Sequence, residues 1–193
     1  MNLQLDSQTQ DLLLRYIALL AKWNDTFNLT AVHGPEQMVI RHLLDSLSLL
    51  PYIKGPRLAD VGTGAGLPGI PLALAFPEYQ VVLLDSQAKK IRFVTQVTAE
   101  LGITNVIIAH TRVQDYHPQQ MFDTVISRAF ATLAEFFAAT SHLCPAGGHL
   151  LAMKGKFPAR ELEEIRQTGR GVNVIPAHIP GLEAERHIVH ITY

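Results

Sequence analysis

The sequence predicts an α/β fold built on a mostly parallel, seven-stranded sheet with helices on both faces. Seven strand-like segments are interleaved with helices between residue 57 and the end of the chain, and such alternation produces parallel sheets. The second segment, Gln80 to Leu84, is a nearly continuous apolar run, as expected of a strand buried on both faces. A glycine-dense loop, Gly62 to Gly69, joins the first strand to its helix.

Length and composition are consistent with one domain. The chain has 193 residues, of which 48% are hydrophobic, enough to bury a full core. The formal net charge is −1, so any nucleic-acid surface must be a local patch. A single cysteine, Cys144, excludes a disulfide framework within the chain and favours a reducing compartment. No apolar run approaches the roughly 18 residues of a membrane span. We expect a cytoplasmic monomer with no membrane partner.

The first 54 residues are predicted to form a helical cap on a core that spans residues 55–193. The spacing of Leu12, Tyr16, Leu19 and Trp23 predicts a packing helix over residues 8–23. The Asn and Thr residues between 24 and 30 favour a turn. A second helix is predicted from Pro35 to about residue 50, before Pro51. On it Arg41 and Asp45 are four residues apart. This spacing is as consistent with a surface ion pair as with a functional role for the two residues.

The elements of the core are predicted from apolar runs and from the residues that bound these runs. Gly102 is suited to end the second core helix. The predicted strands cover residues 57–61, 80–84, 105–109, 122–126, 148–153, 172–178 and 187–192, and the predicted helices cover 69–76, 87–101, 132–143 and 159–168.

Two interpretations compete for the glycine loop. Gly64 to Gly69 fits G-x-G-x-x-G, the dinucleotide fingerprint. Read from Asp60, the loop is acid-x-G-x-G-x-G, with Gly62, Gly64 and Gly66, and resembles the first motif of S-adenosylmethionine (SAM) methyltransferases, whose acid faces the methionine ammonium group. An acid is poorly suited to a pyrophosphate, because it adds negative charge where phosphates would bind. The sequence therefore favours SAM over NAD.

Other candidate residues follow the predicted strands, where ligands bind in such sheets. Asp85 follows the second strand, 21 positions after Gly64, the spacing of an acid that accepts ribose hydroxyls; it is also a candidate helix N-cap. Gln114 or Asp115, after the third strand, could accept a hydrogen bond from an adenine amino group. Arg128 follows the fourth strand and is suited to the cofactor carboxylate, guanine O6 or a phosphate.

The type of reaction is narrowed by residues that are missing. The N/D-P-P-Y/F loop common in amine methylation is replaced by Ser127-Arg128-Ala129-Phe130. Carbon methylation of pyrimidines needs a cysteine nucleophile, and Cys144 lies beside Pro145, away from the strand ends. No His/Cys cluster has metal-ligand spacing. Transfer to an atom with a free lone pair, such as guanine N7, remains and requires positioning rather than a general base.

The order of segments resembles the bacterial small-subunit (16S) ribosomal RNA guanine-N7 methyltransferases, the glucose-inhibited division protein B family. The matching stretches extend from about residue 10 to near the end of the chain. They are Trp23-Asn24, Asn28-Leu29-Thr30, Arg41 to Ser46, Asp60 to Pro71, Leu84-Asp85-Ser86, Ser127-Arg128-Ala129, Met153-Lys154-Gly155 and Glu185-Arg186-His187.

This resemblance implies a Rossmann-like methyltransferase sheet, SAM as methyl donor, and small-subunit rRNA or a 30S particle as partner. The implied cofactor contacts are Gly62, Leu67, Val113, Gln114 and Arg128, with Ser86 beside Asp85. The implied substrate contacts are Asn28, Arg41, His42, Lys154 and Arg186, with Arg128 as the catalytic residue. Two departures from the family pattern are Gln114, where the family often has Glu, and the absence of a lysine-bearing tail after His190.

The sequence leaves two other hypotheses about the function open. A NAD-linked oxidoreductase would use the dinucleotide interpretation of the loop, and Asp60 disfavours it. A SAM-binding ribosome-assembly factor with little turnover would share the cofactor site but not the catalytic role of Arg128.

Overall fold

The computed structural model describes residues 4–128 and 130–192. Ala129 of the Ser127-Arg128-Ala129 motif and the final residue, Tyr193, lie outside the described residues. The helices are α1 (Ser7–Phe27), α2 (Pro35–Met38), α3 (Asp45–Leu47), α4 (Gly69–Ala75), α5 (Ala88–Leu101), α6 (Leu133–Thr140) and α7 (Ala159–Arg166). The strands are β1 (Arg57–Val61), β2 (Gln80–Asp85), β3 (Val106–His110), β4 (Thr124–Ser127), β5 (His149–Lys154), β6 (Gly171–Pro176) and β7 (His187–Thr192).

The predicted α/β fold with a mostly parallel, seven-stranded sheet is confirmed. The strand order is β3-β2-β1-β4-β5-β7-β6. Strands β1 to β5 run parallel, and β7 is antiparallel to both β5 and β6. The chain order reverses between β1 and β4, and ligands of open α/β sheets bind at such a switch point. The carboxyl ends of β1, β2 and β4 therefore define where the functional site lies.

Apolar side chains pack on both faces of the sheet. On one face α1, α4 and α5 contribute Tyr16, Ile70 and Phe93, all fully buried. On the other face α6 contributes Phe136, which packs in the same cluster as Leu150 of β5. Each such side chain contributes roughly 1.5–3 kcal/mol through burial. The sheet edge that carries the strand ends is thus held rigidly from both sides.

The predicted end of the first helix at residue 23 is wrong, because α1 continues to Phe27. Trp23 and Phe27 are four residues apart, and their ring centroids lie 5.0 Å apart, which extends the aromatic stripe by one turn. Asn24 does not break the helix, since its buried side chain accepts a hydrogen bond from Thr30 N at 2.8 Å. Asn28, with φ of 47°, ends the helix in the left-handed conformation.

The helical stretch predicted from Pro35 is present, but its middle, Val39–Leu44, is π-helical. A π-helix has a wider turn than an α-helix, and the carboxylate of Asp45, which follows this segment, lies near Arg128 and Arg186 instead. The surface ion pair between Arg41 and Asp45 is accordingly wrong. Arg41 Nε donates to Gln37 Oε1 at 3.0 Å, while Asp45 is buried.

Candidate active site

Backbone N–H groups of the glycine loop donate hydrogen bonds to acceptors at the end of β2. Gly62 N and Thr63 N both donate to Leu84 O at 2.9 Å, and Gly64 N donates to Asp85 Oδ2 at 2.9 Å. The loop can fold this tightly because Gly62 and Gly64 have positive φ angles of 70° and 60°, which glycine adopts without strain. A pyrophosphate needs such N–H donors free, so the geometry disfavours the dinucleotide interpretation.

Asp60 lies beneath the loop and holds it to α4. Its Oδ2 accepts hydrogen bonds from Thr63 Oγ1 at 2.6 Å and from Gly69 N at 2.8 Å. The side chain is buried, and its Oδ1 has no hydrogen-bond partner among the described residues. An orphaned buried carboxylate oxygen is unusual and is chemically suited to a cationic donor such as an ammonium group.

Burial raises the pKa of Asp60 to about 6; hydrogen bonds from Thr63 and Gly69 and the charge of Arg128 oppose this, and the charge of Asp85 adds to it. Since this value lies above the ordinary 3.8, the Asp60 carboxyl of the folded protein without ligand stays protonated up to a higher pH than in the unfolded chain. The free energy of unfolding therefore falls as pH rises from about 4 to about 6. An ammonium group favours the carboxylate instead, and its binding would reverse this preference.

We therefore expect the affinity for S-adenosylhomocysteine, which carries the ammonium group, to fall by up to about tenfold per pH unit below about 6. Affinity for 5′-methylthioadenosine, which lacks the amino-acid part, should change little between pH 5 and 8. Calorimetric titration across this range measures both, and Asp60→Asn should flatten the first profile. Parallel profiles for the two ligands would remove Asp60 from the ammonium site.

A cavity of about 650 Å³, here called the cofactor cavity, lies beyond the ends of β1, β2 and β3. Its lining includes most of the predicted cofactor residues: Gly62, Asp85, Ser86, Val113, Gln114 and Asp115. Val113 is buried, and the side chains of Gln114 and Asp115 are exposed at its rim. The structure thus brings both candidate adenine contacts to one cavity, and the choice between them stays a prediction.

The prediction that Asp85 is a helix N-cap is wrong, because Gln87 is the N-cap of α5. Asp85 Oδ1 accepts a hydrogen bond from Gln87 N at 2.8 Å, next to the start of α5, and Asp85 Oδ2 accepts one from Gly64 N at 2.9 Å. A carboxylate has about four acceptor sites, so two remain toward the cofactor cavity. The ribose contact stays a prediction, compatible with this arrangement.

Two smaller cavities continue from the cofactor cavity along the strand ends. The glycine cavity, about 200 Å³, shares Gly62 with it and is lined by Thr30, His42, Gly62, Gly64, Leu67 and Arg128 among others. The cationic cavity, about 330 Å³, is lined by Arg41, His42, Asp45, Arg128, Lys154 and Arg186 among others. Arg128 and His42 line both smaller cavities, so the glycine cavity borders both the cofactor cavity and the cationic one.

Arg128 lies at the junction of the two smaller cavities. Its Nη1 is 3.6 Å from Asp45 Oδ2, yet this buried nitrogen has no hydrogen-bond partner in the part of the chain that the structure describes. Five N–H donors in a planar fork suit Arg to a carboxylate, a carbonyl oxygen or a phosphate. Arg128 therefore lines both the glycine cavity and the cationic cavity, and it has an N–H donor available to a ligand.

His42 is a neutral, fully engaged imidazole. Its Nδ1 lies 3.0 Å from Arg41 O, and a carbonyl can only accept, so Nδ1 carries the proton and Nε2 accepts from Thr30 Oγ1 at 2.9 Å. Burial and then the charge of Arg128 lower the pKa of His42 to about 4. His42 thus shapes the cavity wall and has no nitrogen left to accept a proton from a ligand.

Three of the remaining predicted substrate residues line the cationic cavity, and one does not. Lys154 Nζ is tied to Ala131 O at 2.8 Å and Glu161 Oε2 at 2.9 Å, and it lines the cationic cavity together with Arg41 and Arg186. Asn28 is exposed and is absent from the linings of the three cavities, so its substrate contact stays a prediction.

Two cofactor predictions also fall outside the cavity walls. Asp60 and Gly66 lie under the glycine loop rather than on its open side; Gly66 N donates to Thr63 O at 2.9 Å. A Cβ at Gly66 would meet Ile70 Cδ1. Their visible function is to fix the loop, and a direct contact with a cofactor stays a prediction for both.

Sequence reasoning missed three site residues. Tyr16, predicted as a packing residue, donates through its hydroxyl to Ala65 O in the glycine loop at 2.8 Å. Lys90 lines the cofactor and glycine cavities, and its Nζ lies 4.0 Å from Asp85 Oδ2. Asp45 is buried in the cationic cavity. Lys90 and Asp45 each had a signal in the sequence, because Lys90 follows closely after the end of β2 and Asp45 belongs to the matching stretch Arg41 to Ser46.

Residues 4–128 and 130–192 contain no group of three metal-ligating side chains. No helix in these ranges is long and apolar enough to cross a membrane. Cys144 is buried, its Sγ donates to Phe122 O at 3.3 Å, and burial raises its pKa to about 11. The prediction that Cys144 lies away from the site is confirmed.

Comparisons with known proteins agree with this geometry. The family described as GidB, rRNA small subunit methyltransferase G, matches residues 9–189. A Legionella pneumophila subsp. pneumophila protein named ribosomal RNA small subunit methyltransferase G is 54% identical over 94% of this chain and 86% of its own length. One of the same name from Nitrosococcus oceani is 47% identical over 99% of this chain and 89% of its own length.

A solved structure shows the same fold at low sequence identity. A SAM-dependent methyltransferase from Aquifex aeolicus superimposes with a TM-score of 0.63, covering 93% of this chain and 98% of that one, at 15% identity. At this identity the likeness concerns the fold alone, and the fold is a Rossmann-like methyltransferase sheet.

Proposed function

This chain belongs to the rRNA small subunit methyltransferase G (GidB) family, and from that premise we propose that it transfers a methyl group from SAM to N7 of one guanosine in small-subunit (16S) rRNA. The observation that carries the proposal is that the cofactor cavity, which contains the carboxylates of Asp85 and Asp115, and the cationic cavity each share lining residues with the glycine cavity. A transferase needs donor and acceptor sites that meet in this way.

The residues of the cofactor cavity fit SAM better than a dinucleotide. Asp85 and Asp115 supply acceptors for hydroxyl and amino groups, and the loop N–H groups that would hold a pyrophosphate are occupied. Asp60, beneath the glycine loop, has a buried carboxylate oxygen without a partner among the described residues, and we propose that this oxygen binds the ammonium group. Arg128 offers a guanidinium toward a carboxylate. When bound there, SAM supplies an electrophilic methyl group; the chain's own residues bind and orient its two ends.

The choice of N7 as acceptor is supported by the state of the two candidate bases beside Arg128, His42 and Asp45. Both nitrogens of His42 are occupied, and Asp45 lies beside two guanidinium groups. Burial raises the pKa of Asp45, while the charges of Arg128 and Arg186 lower it. Guanine N7 has a lone pair and no proton, so its methylation requires no residue to remove one.

The partner is proposed from the charge of the cationic cavity. Arg41, Arg128, Lys154 and Arg186 place four positive groups around one carboxylate there, in a chain whose net charge is −1. Phosphate contacts supply most of the nonspecific affinity for nucleic acid, and a patch this small suits a preorganised 30S particle better than loose RNA. We propose that the protein acts as a cytoplasmic monomer.

The test is to map N7-methylguanosine in small-subunit rRNA from cells with and without this protein. We expect one guanosine to lose the modification when the protein is absent and to regain it when the protein is restored. Purified protein should then methylate 30S particles from the deficient cells. An unmethylated rRNA in the presence of the wild-type protein would overturn the proposal and favour an assembly factor.

A further inference from the structure

Asp45 is the one acidic side chain among the described residues that line the cationic cavity. It begins α3, immediately after the π-helical segment Val39–Leu44. Its side chain is only 6% exposed. A carboxylate buried among cations at a site suited to RNA would weaken phosphate binding, so its presence there calls for a different kind of contact.

The hydrogen bonding of this carboxylate is incomplete. Arg186 Nε lies 3.3 Å from Oδ1, and Arg128 Nη1 lies 3.6 Å from Oδ2, but neither contact is an aligned hydrogen bond. Oδ1 of Asp45 and Nη1 of Arg128 are both buried without a hydrogen-bond partner within residues 4–128 and 130–192. Buried polar groups are almost always satisfied, and two such atoms in one cavity leave a donor and an acceptor available to a polar partner.

The chemistry of these two atoms indicates which ligand fits them best. An ionised carboxylate only accepts hydrogen bonds, and a guanidinium only donates them. The ligand must therefore present at least one donor beside an acceptor, which every base does, and the fullest match to a carboxylate is an edge with two adjacent donors. The Watson–Crick edge of guanine has O6 as acceptor next to the N1–H and N2–H₂ donors; adenine, cytosine and uracil have no pair of adjacent donors. A flipped base is read through hydrogen bonds to this edge.

We propose that Asp45 Oδ1 accepts hydrogen bonds from N1–H and the 2-amino group of the target guanine and is thereby the residue that selects guanine. This inference rests on the proposed function. A neighbouring guanidinium donates to O6, and the edge that carries N7 is left free for the methyl group. Asp45 is then a specificity-determining residue, in contact with the base and not with the transferring methyl group.

The experiment replaces the target guanosine, once mapped, by inosine in small-subunit rRNA ligated from two pieces and reconstituted into particles. Inosine keeps N7, O6 and N1–H and lacks only the 2-amino group. Single-turnover methylation rates on the guanosine and inosine particles give a ratio for each protein variant. Binding of both particles to sinefungin-saturated protein is measured in parallel, so that a variant without turnover also gives a ratio.

The wild-type protein should favour guanosine over inosine by about tenfold or more, because a lost hydrogen bond to a charged group is worth that much. Asp45→Asn keeps the shape but loses the charge, and it should reduce the ratio by about tenfold. Arg41→Ala, in the same cavity, should slow methylation of both particles equally and leave the ratio unchanged. Melting temperature and S-adenosylhomocysteine affinity report whether each variant folds.

The outcomes separate this inference from the proposed function. No N7-methylation of either particle by the wild-type protein overturns the proposed function itself. Methylation of the guanosine particle, combined with a ratio near one for the wild type or an Asp45→Asn ratio equal to the wild-type ratio, overturns only the inference. Asp45 would then serve solely to hold Arg128 and Arg186.

Discussion

Replacement of Arg128 by alanine should lower kcat/KM for rRNA methylation by about 10²–10³-fold and should also lower the melting temperature, because the buried Asp45 loses a neighbouring cation. The guanidinium lies where the glycine and cationic cavities meet, and its Nη1 has no hydrogen-bond partner among the described residues. Its loss removes donors available to a ligand and few bonds within the fold. A lost charge-assisted interaction in an enclosed site costs about 3–4 kcal/mol, which corresponds to this factor.

The same variant distinguishes the three ligands considered for Arg128. A loss concentrated in the Kd for S-adenosylhomocysteine assigns Arg128 to the cofactor carboxylate, whereas a loss in the KM for 30S particles assigns it to phosphate or guanine O6. Arg128→Lys is the matched control: it keeps the charge without the planar fork and should recover part of the activity. Turnover by Arg128→Ala within threefold of the wild-type rate would contradict the assignment.

Gly69→Ala should reduce the affinity for SAM by about tenfold or more and lower the melting temperature by several degrees. A Cβ at this position would overlap Leu83 Cδ2 and lie 2.8 Å from Asp60 Oδ2, the atom that accepts the Gly69 N–H. The chain must move to relieve the overlap, and overpacking of this kind costs about 1–3 kcal/mol. Because Asp60 carries both contacts, the glycine loop moves with it.

Gly171→Ala is the matched control for this prediction. Gly171 begins β6, its φ lies outside the positive range, and a Cβ there would lie 3.8 Å from Thr192 Cβ, an ordinary contact. We expect its melting temperature and SAM affinity to stay near wild-type values, since substitutions without overlap change stability by about 0.5 kcal/mol or less. Equal effects of the two substitutions, by thermal melting and calorimetry, would argue against steric control by Gly69.

The sheet was predictable because its strands are short apolar runs bounded by glycine, proline and acidic residues. Local patterns of this kind fix strand positions to within a few residues, as with Gln80–Asp85. They failed at residues 24–27, where a buried Asn24 and the Trp23–Phe27 contact continue the helix. They also gave no sign of the π-helical segment, whose wider turn depends on tertiary packing rather than on the residues within it.

The cofactor half of the site was predictable for a related reason. Gly62, Asp85 and Gln114 each follow a strand directly, and strand order alone brings such residues to one edge. The cationic half was not, because Asp45 meets Arg128 and Arg186 only through the tertiary fold. Two of these three residues were identified through motif resemblance, but the burial of Asp45 and its orphaned oxygen required the structure.

The hydrogen bonds that occupy the N–H groups of the glycine loop have a consequence for the ligands that the protein selects in the cell. The N–H groups that would hold a phosphate chain are already committed to Leu84 O and Asp85 Oδ2. A nucleotide phosphate would have to bind through side chains such as Lys90, beside the carboxylates of Asp85 and Asp115. The backbone of the loop therefore gives ATP and other energy metabolites no advantage over the methyl donor.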